Sequence, residues 1–368
     1  MSAKRTLAVV SVLAFLVACS QGRGLFKRAE PVPTPQVKVA SVKKPSSTAA
    51  NPSLTVVRAE PRKKKLKLPR VLAKIPNILA KPFEAPTDTV DLAASTTRSD
   101  TMEGCDPSLA AHIPARANNA LPGSELARES MTLGGTERDA FLSQKLMEGN
   151  VPDFMRKLTP VVFRGNASDG KDVVVVICVT PDYLAVGDDS DFVRVPMGLP
   201  AAAEVATDFG FVLPTTKMVD AIYKQAGLHL IPAPMQAGSQ MTSTKYLWQH
   251  NRTVEGQRLA AHDAPETLVA GQKKDLVLSN VLRSAPGRVA IYGWHRQNGV
   301  PIQPLSTVHG KNYADYSHGV RLVSTTVAVN GKARNLADVL EDPTLSRIVS
   351  KEGPIIHPVR LIAALAAN

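Results

Sequence analysis

Cysteine is scarce in this 368-residue chain, which has three. Cys19 lies near the amino terminus, so only Cys105 and Cys178 remain, too few for a fold built on disulfides. The aromatic share is 5%. No H-E-x-x-H occurs, which excludes the helical zinc-protease motif, and no G-x-S-x-G, which excludes the serine elbow of α/β-hydrolases. The uncharged run Thr6 to Ala18 is shorter than the ~20 apolar residues that a spanning helix needs.

Positive charge is abundant but confined. The net charge is +12, yet residues 20–100 hold 16 Lys and Arg against 6 Asp and Glu, and Lys4 and Arg5 supply the rest. Residues 101–368 are therefore near neutral. A basic groove for nucleic acid is not expected. The same segment carries ten of the 28 prolines, as in Pro31-Val32-Pro33-Thr34-Pro35, and the run Pro61-Arg62-Lys63-Lys64-Lys65. Such sequence removes backbone donors and repels itself, so it predicts a disordered tether over residues 19–120. Its charges could meet anionic lipid or wall polymer at ~1 kcal/mol each.

The amino terminus has a basic pair, the short uncharged run, and then Leu16-Val17-Ala18-Cys19. This resembles the lipobox of bacterial lipoproteins. The resemblance implies a signal peptide over 1–18, acylation of Cys19, and a place in the cell envelope. Ser20 in the next position implies the periplasmic face of the outer membrane if the host is Gram-negative. Several acyl chains anchor stably, because each buried methylene adds ~0.8 kcal/mol.

Regular periodicity starts near residue 122 and predicts a single α+β (or α/β) domain over 121–368. Its sheet should be mixed and largely antiparallel, with flanking helices. Helical spacing is expected over 136–148, with Thr136 and Asp139 in the pattern of a capping box. Lys171 to Thr180 is β-branched on both faces and reads as a central strand. Cys178 lies within it, where burial as a small hydrophobe is favoured over a bond to Cys105. Gly187-Asp188-Asp189-Ser190-Asp191 reads as a polar hairpin turn, since it lacks the spacing of a calcium loop. Helices are expected near 199–209, 216–226 and 242–261, and Asn330-Gly331 marks a hairpin.

Chemistry concentrates between Gly287 and Val323, which holds His295, His309 and His318, Trp294, and Asp315 between Tyr313 and Tyr316. Imidazole and carboxylate are ligands for zinc, so His295, His309, Asp315 and His318 form the candidate metal set. His309, Asp315 and His318 are also the candidate catalytic residues. Trp294, Tyr313, Tyr316 and Arg321 are the candidate ligand-binding residues. The span from His309 to Asp315 resembles the His…Asp arm of zinc D-Ala-D-Ala carboxypeptidase-like and lysostaphin-like peptidases, with one residue fewer and no downstream His-x-His. The phrases IYGWH…IQPLS and DYSHGVRLV resemble an uncharacterised group of exported bacterial proteins over residues ~135–330, which implies no activity. A hydrolase of envelope material using a His/Asp site is the leading expectation. A ligand-binding or structural lipoprotein is the alternative, and a cysteine hydrolase using Cys178 the third.

Overall fold

Residues 105–366 are described by the computed structural model; Cys19, the expected leader and the tether up to residue 104 lie outside the described residues. The chain opens with a short 3-10 turn at Pro107–Ala110, then α1 (Gly123–Glu129) and α2 (Gly135–Met147). The helical spacing of α2 is as expected, but its cap is not. Gly134 occupies the cap position, Thr136 is already helical, and the buried Asp139 accepts a hydrogen bond from the Gly198 N–H at 2.8 Å.

β1 (Thr159–Asn166) and β2 (Asp172–Val179) form a full-length antiparallel pair. Val175, Ile177 and Val179 are fully buried along one face of β2. Burying each such side chain contributes ~1.5–3 kcal/mol, which is what a strand apolar on both faces can deliver. A hairpin of β3 (Ala185–Gly187) and β4 (Phe192–Arg194) follows. Its turn is polar, as expected. Asp188 accepts from Ser190 and Asp191, Asp189 from the Phe154 N–H, and Asp191 from Ser124. Each carboxylate is thus committed to a different donor.

The middle of the chain supplies α3 (Leu199–Asp208), β5 (Phe211–Val212), α4 (Thr216–Gln225), β6 (Leu228–His229), α5 (Thr244–Ala260) and β7 (Val269–Ala270). Thr215 caps α4 by accepting from the Met218 N–H, and Met218, Val219 and Ile222 form the buried stripe. Next come β8 (Lys274–Leu276), the single turn α6 (Val281–Ser284), β9 (Ile291–His295), β10 (Pro301–Ser306) and β11 (His318–Gly319). The chain ends with β12 (Val323–Ser324), β13 (Thr326–Val329), β14 (Lys332–Asn335), α7 (Leu336–Glu341), α8 (Ser346–Val349) and α9 (Pro358–Ala366). The β13–β14 turn has Asn330 at φ 48° and Gly331 at φ 78°, the two left-handed positions that an Asn-Gly hairpin supplies.

The fold is α+β. As expected, strand pairing is mixed and mostly antiparallel; the strands divide among several sheets. One sheet of six runs β14-β13-β2-β12-β5, with β1 on the other edge of β2. A second, of four, runs β10-β9-β8-β11, parallel only at β8–β11. Two small ribbons, β3–β4 and β6–β7, complete the described strands. No helix among the described residues is long and apolar enough to cross a membrane.

Two expectations at the start of the domain need correction. Residues 105–120 are folded against the domain and do not belong to the tether. The Arg116 guanidinium donates to Asn150, to the Gly187 carbonyl and to the Ala120 carbonyl. Cys105 and Cys178 form a disulfide, with Cα atoms 5.8 Å apart and a sequence separation of 73. Cys178 is indeed buried, but as half of that bond, so it cannot serve as a free thiol nucleophile. The expectation for Cys105 failed because pairing depends on where the segment before residue 120 packs. Closing a loop of this length should stabilise the domain by roughly 3–4 kcal/mol through the unfolded chain. Reduction, or Cys105→Ser, should therefore lower the unfolding midpoint, measured by urea denaturation with and without reductant. An unchanged midpoint would argue against the bond.

Candidate functional site

The register of the four-stranded sheet places the candidate residues. His318 of β11 is the direct partner of Lys274 of β8. Side chains of such partners stand side by side on one face. The Lys274 ammonium lies 5.0 Å from the centre of the Trp294 ring. Trp294 has a φ of 57°, a left-handed backbone that costs a bulky residue roughly 1–3 kcal/mol. In that conformation the Trp294 N–H donates to the Lys273 carbonyl.

Around His318 the loop 309–317 closes back. His309 and Tyr313 stack with ring centres 4.0 Å apart and planes 7° from parallel. Their rings lie 6.0 and 5.6 Å from that of His318. The Asp315 carboxylate is 4.0 Å from His318 Nε2. It accepts from the Ser317 N–H at 2.8 Å, the Ser317 hydroxyl at 2.6 Å and the Tyr313 hydroxyl at 3.1 Å. Ser317 therefore donates to Asp315 and forms no pair with His318. Both ring nitrogens of His318 are buried and lack a hydrogen-bond partner, and so is the Trp294 indole nitrogen. Unpaired buried donors and acceptors are costly, at ~1–3 kcal/mol each, so the two open nitrogens of His318 subtract from the stability of the domain.

The electrostatics follow from burial. Desolvation pushes the His318 imidazole well below its ordinary range, against the pull of Asp315, so it is neutral near pH 7. Burial pushes the Asp315 carboxyl up, but His318, the two Ser317 hydrogen bonds and Lys274 outweigh it and keep it ionised. His309, half-buried, is lowered by burial and by the positive charges of Lys274 and Arg288. Burial and Asp315 raise the Tyr313 hydroxyl to about 12.

His295 does not join this group. Its Nε2 lies 2.9 Å from Asp220, which also accepts from the Tyr292 hydroxyl and from Lys351. Tyr223 stacks on its other side at 4.5 Å. The candidate four-ligand metal set is thus divided. Among the described residues no group of three or more His, Cys, Asp or Glu could hold a metal ion. The register explains this, since His295 ends β9 against Pro301 of β10, two strands away from His318.

Two candidate ligand-binding residues are also committed elsewhere. Arg321 is fully buried, donates to the Thr180 and Val269 carbonyls, and lies 4.2 Å from the Tyr183 ring. The Tyr316 hydroxyl accepts from the Met235 N–H, and its ring packs on Tyr246 and His250. The Tyr316 hydroxyl is thus occupied, and of the Arg321 guanidinium only Nε is left without a partner, fully buried.

Sequence reasoning missed Lys273, Lys274, Asp275 and Asp220. For the first three the signal was present as three consecutive charged residues leading into the apolar run Leu276-Val277-Leu278. Lys273 is wholly buried, with its ammonium 2.6 Å from the Tyr316 carbonyl and 3.2 Å from His250 Nδ1. Burial, with Arg194 nearby, lowers it to about 7, and burial lowers His250 to about 2. On the same strand, burial raises Asp275 to about 6, while Tyr183 donates to it at 2.9 Å. No protein-family model, curated protein or solved structure matches this chain.

Lys273 makes stability depend on pH. Its value is about 7 folded and 10.5 in the free side chain. Between these the unfolded chain holds more protons, so stability rises as pH increases through that window. The rise should be on the order of a few kcal/mol and absent from Lys273→Met. Asp275 acts with the opposite sign and only between 3.8 and about 6, so it does not overlap. Urea unfolding of both proteins at pH 7 and 10 measures the difference; parallel responses would show that Lys273 is charged when folded.

Proposed function

We propose that this protein is a lipid-anchored cell-envelope hydrolase whose chemistry runs at His318, Asp315 and His309. The observation that carries the reading is His318. It is a neutral imidazole, fully buried, with both nitrogens unbonded and an ionised carboxylate 4.0 Å away. That is the state a general base requires before it takes a proton from an attacking water. Asp315 would stabilise the imidazolium that forms. His309, at the half-buried side, would carry the proton onward. With no three-ligand group among the described residues, this reading uses a side-chain base and does not depend on zinc. The complete burial of His318 and Asp315 favours the second reading, a non-catalytic ligand-binding or structural lipoprotein.

The two readings differ in what His318 is for. His318→Leu removes two unpaired buried nitrogens, so the domain should melt at the same temperature or higher. Turnover of purified cell wall, or of an ester and amide panel followed by mass spectrometry, should fall by at least about 100-fold. A variant that melts lower and loses no turnover would reject the hydrolase.

The anchor rests on the Leu16-Val17-Ala18-Cys19 box, with the basic tether reaching anionic lipid or wall polymer. Cys19→Ala should move the protein from the membrane fraction to the soluble one. Mass spectrometry of the native amino terminus should find acyl chains on Cys19; an unmodified Cys19 would remove the anchor from the proposal.

A further inference from the structure

The face of the second sheet beside His318 holds a half-buried cation without an acceptor. Among the described residues Lys274 Nζ has no hydrogen bond and no ion pair, only the Trp294 ring at 5.0 Å. Burial lowers its ammonium, against the attraction of Asp315. The buried Lys273 and the exposed Lys351 are both bonded. Lys273 binds the Tyr316 carbonyl and His250, and Lys351 binds Asp220. Leaving a partly desolvated ammonium unpaired is costly unless something else completes it.

Two further buried side chains, on β9 and β11, lack partners, and between them they offer two N–H donors and one acceptor nitrogen. The Trp294 indole N–H is a donor only, buried and unpaired. A neutral His318 presents one N–H donor as well. The carboxylate in the cluster, Asp315, is already occupied by Tyr313 and Ser317. The groups without partners thus include an ammonium, an indole N–H and an imidazole N–H. Lys274 and Arg288 both bear on His309 at the half-buried side of the cluster, against the opposing charge of Asp315. Trp294 is held in its left-handed conformation at this point, and such strain collects at ligand sites.

We propose that Lys274 and Trp294 form a subsite for a carboxylate of the substrate, seated next to His318. This deepens the hydrolase reading and rests on it for the word substrate; the binding itself does not require turnover. The carboxylate would take a hydrogen bond from Lys274 Nζ and one from the indole, and would place the neighbouring scissile bond against the imidazole. Lysine serves here as a point charge on a flexible stem, so it can leave the indole face to meet the anion. The substrate class is then an acyl compound that carries a free carboxylate close to the bond that is cut.

Titration calorimetry with N-acetylalanine, N-acetylalaninamide and inorganic phosphate tests this without any reaction. The carboxylate should bind saturably and the uncharged amide about tenfold more weakly, the loss expected for one charge-assisted hydrogen bond. Lys274→Met should lose about tenfold for the acid and nothing for the amide, while Lys274→Arg should retain most of it. Trp294→Phe should weaken the acid as well. Equal binding of acid and amide, preference for phosphate over carboxylate, or no saturable binding would overturn the subsite. The acid–amide comparison uses only the wild-type protein, so a variant that fails to fold does not decide it. Carboxylate binding that survives while His318→Leu keeps full turnover would remove the hydrolase reading and leave the subsite standing.

Discussion

Charge taken into a medium of low polarity must be met by a partner or neutralised, and the strand Lys273-Lys274-Asp275 takes three charged residues there at once. Much of the surrounding packing is a response. Asp275 receives the Tyr183 hydroxyl, and Arg321 lies over the same ring. Lys273 is lodged between the Tyr316 carbonyl and His250, with its ammonium lowered to about 7. Asp182 gathers Arg194, Gln272 and the Tyr183 N–H. These contacts tie the four-stranded sheet, the β3–β4 ribbon and α5 to one buried polar centre.

Several buried polar atoms among the described residues lack a partner, Arg138 Nε, His250 Nε2, Gln272 Oε1 and Arg321 Nε among them, and His318 stands out because both of its ring nitrogens do. Asp220 shows how the fold treats a partly buried polar group that is there for structure, since it collects His295, Tyr292 and Lys351. His318 collects nothing, and neither does the Trp294 indole. A domain that satisfies Asp182, Asp220 and Asp315 so fully could have filled these positions with apolar side chains. Open valences retained next to a filled carboxylate mark the place where a ligand is expected to complete the set.

Much of the layout was legible in the sequence. The β-branched run at 172–179, the stripe Met218, Val219 and Ile222, the Asn330-Gly331 turn and the helix over 135–147 are all local signals, and the structure has each of them. The cap of α2 failed because Asp139 was drawn to Gly198, 59 residues away, which no local pattern contains. The disulfide failed for the same reason, as the pairing spans 73 residues. The candidate site was legible in part. His309, Tyr313, Asp315 and His318 do meet, because one loop carries them all. His295, Tyr316 and Arg321 share the stretch but not the place.

By itself, then, the amino-acid sequence determined where charge and proline exclude a core, where strands and helices form, and which short loop gathers imidazole, phenol and carboxylate. These depend on residues within about one turn or one hairpin of each other. Only the tertiary structure decided that Lys274 stands beside His318 and under no acceptor, that His295 belongs to Asp220, and that Cys178 is bonded. Those outcomes depend on strand register and on which sheet each strand joins. Since side chains alternate faces along a strand, a shift of one residue would have exchanged Lys273 for Lys274 and put a different ammonium next to the imidazole.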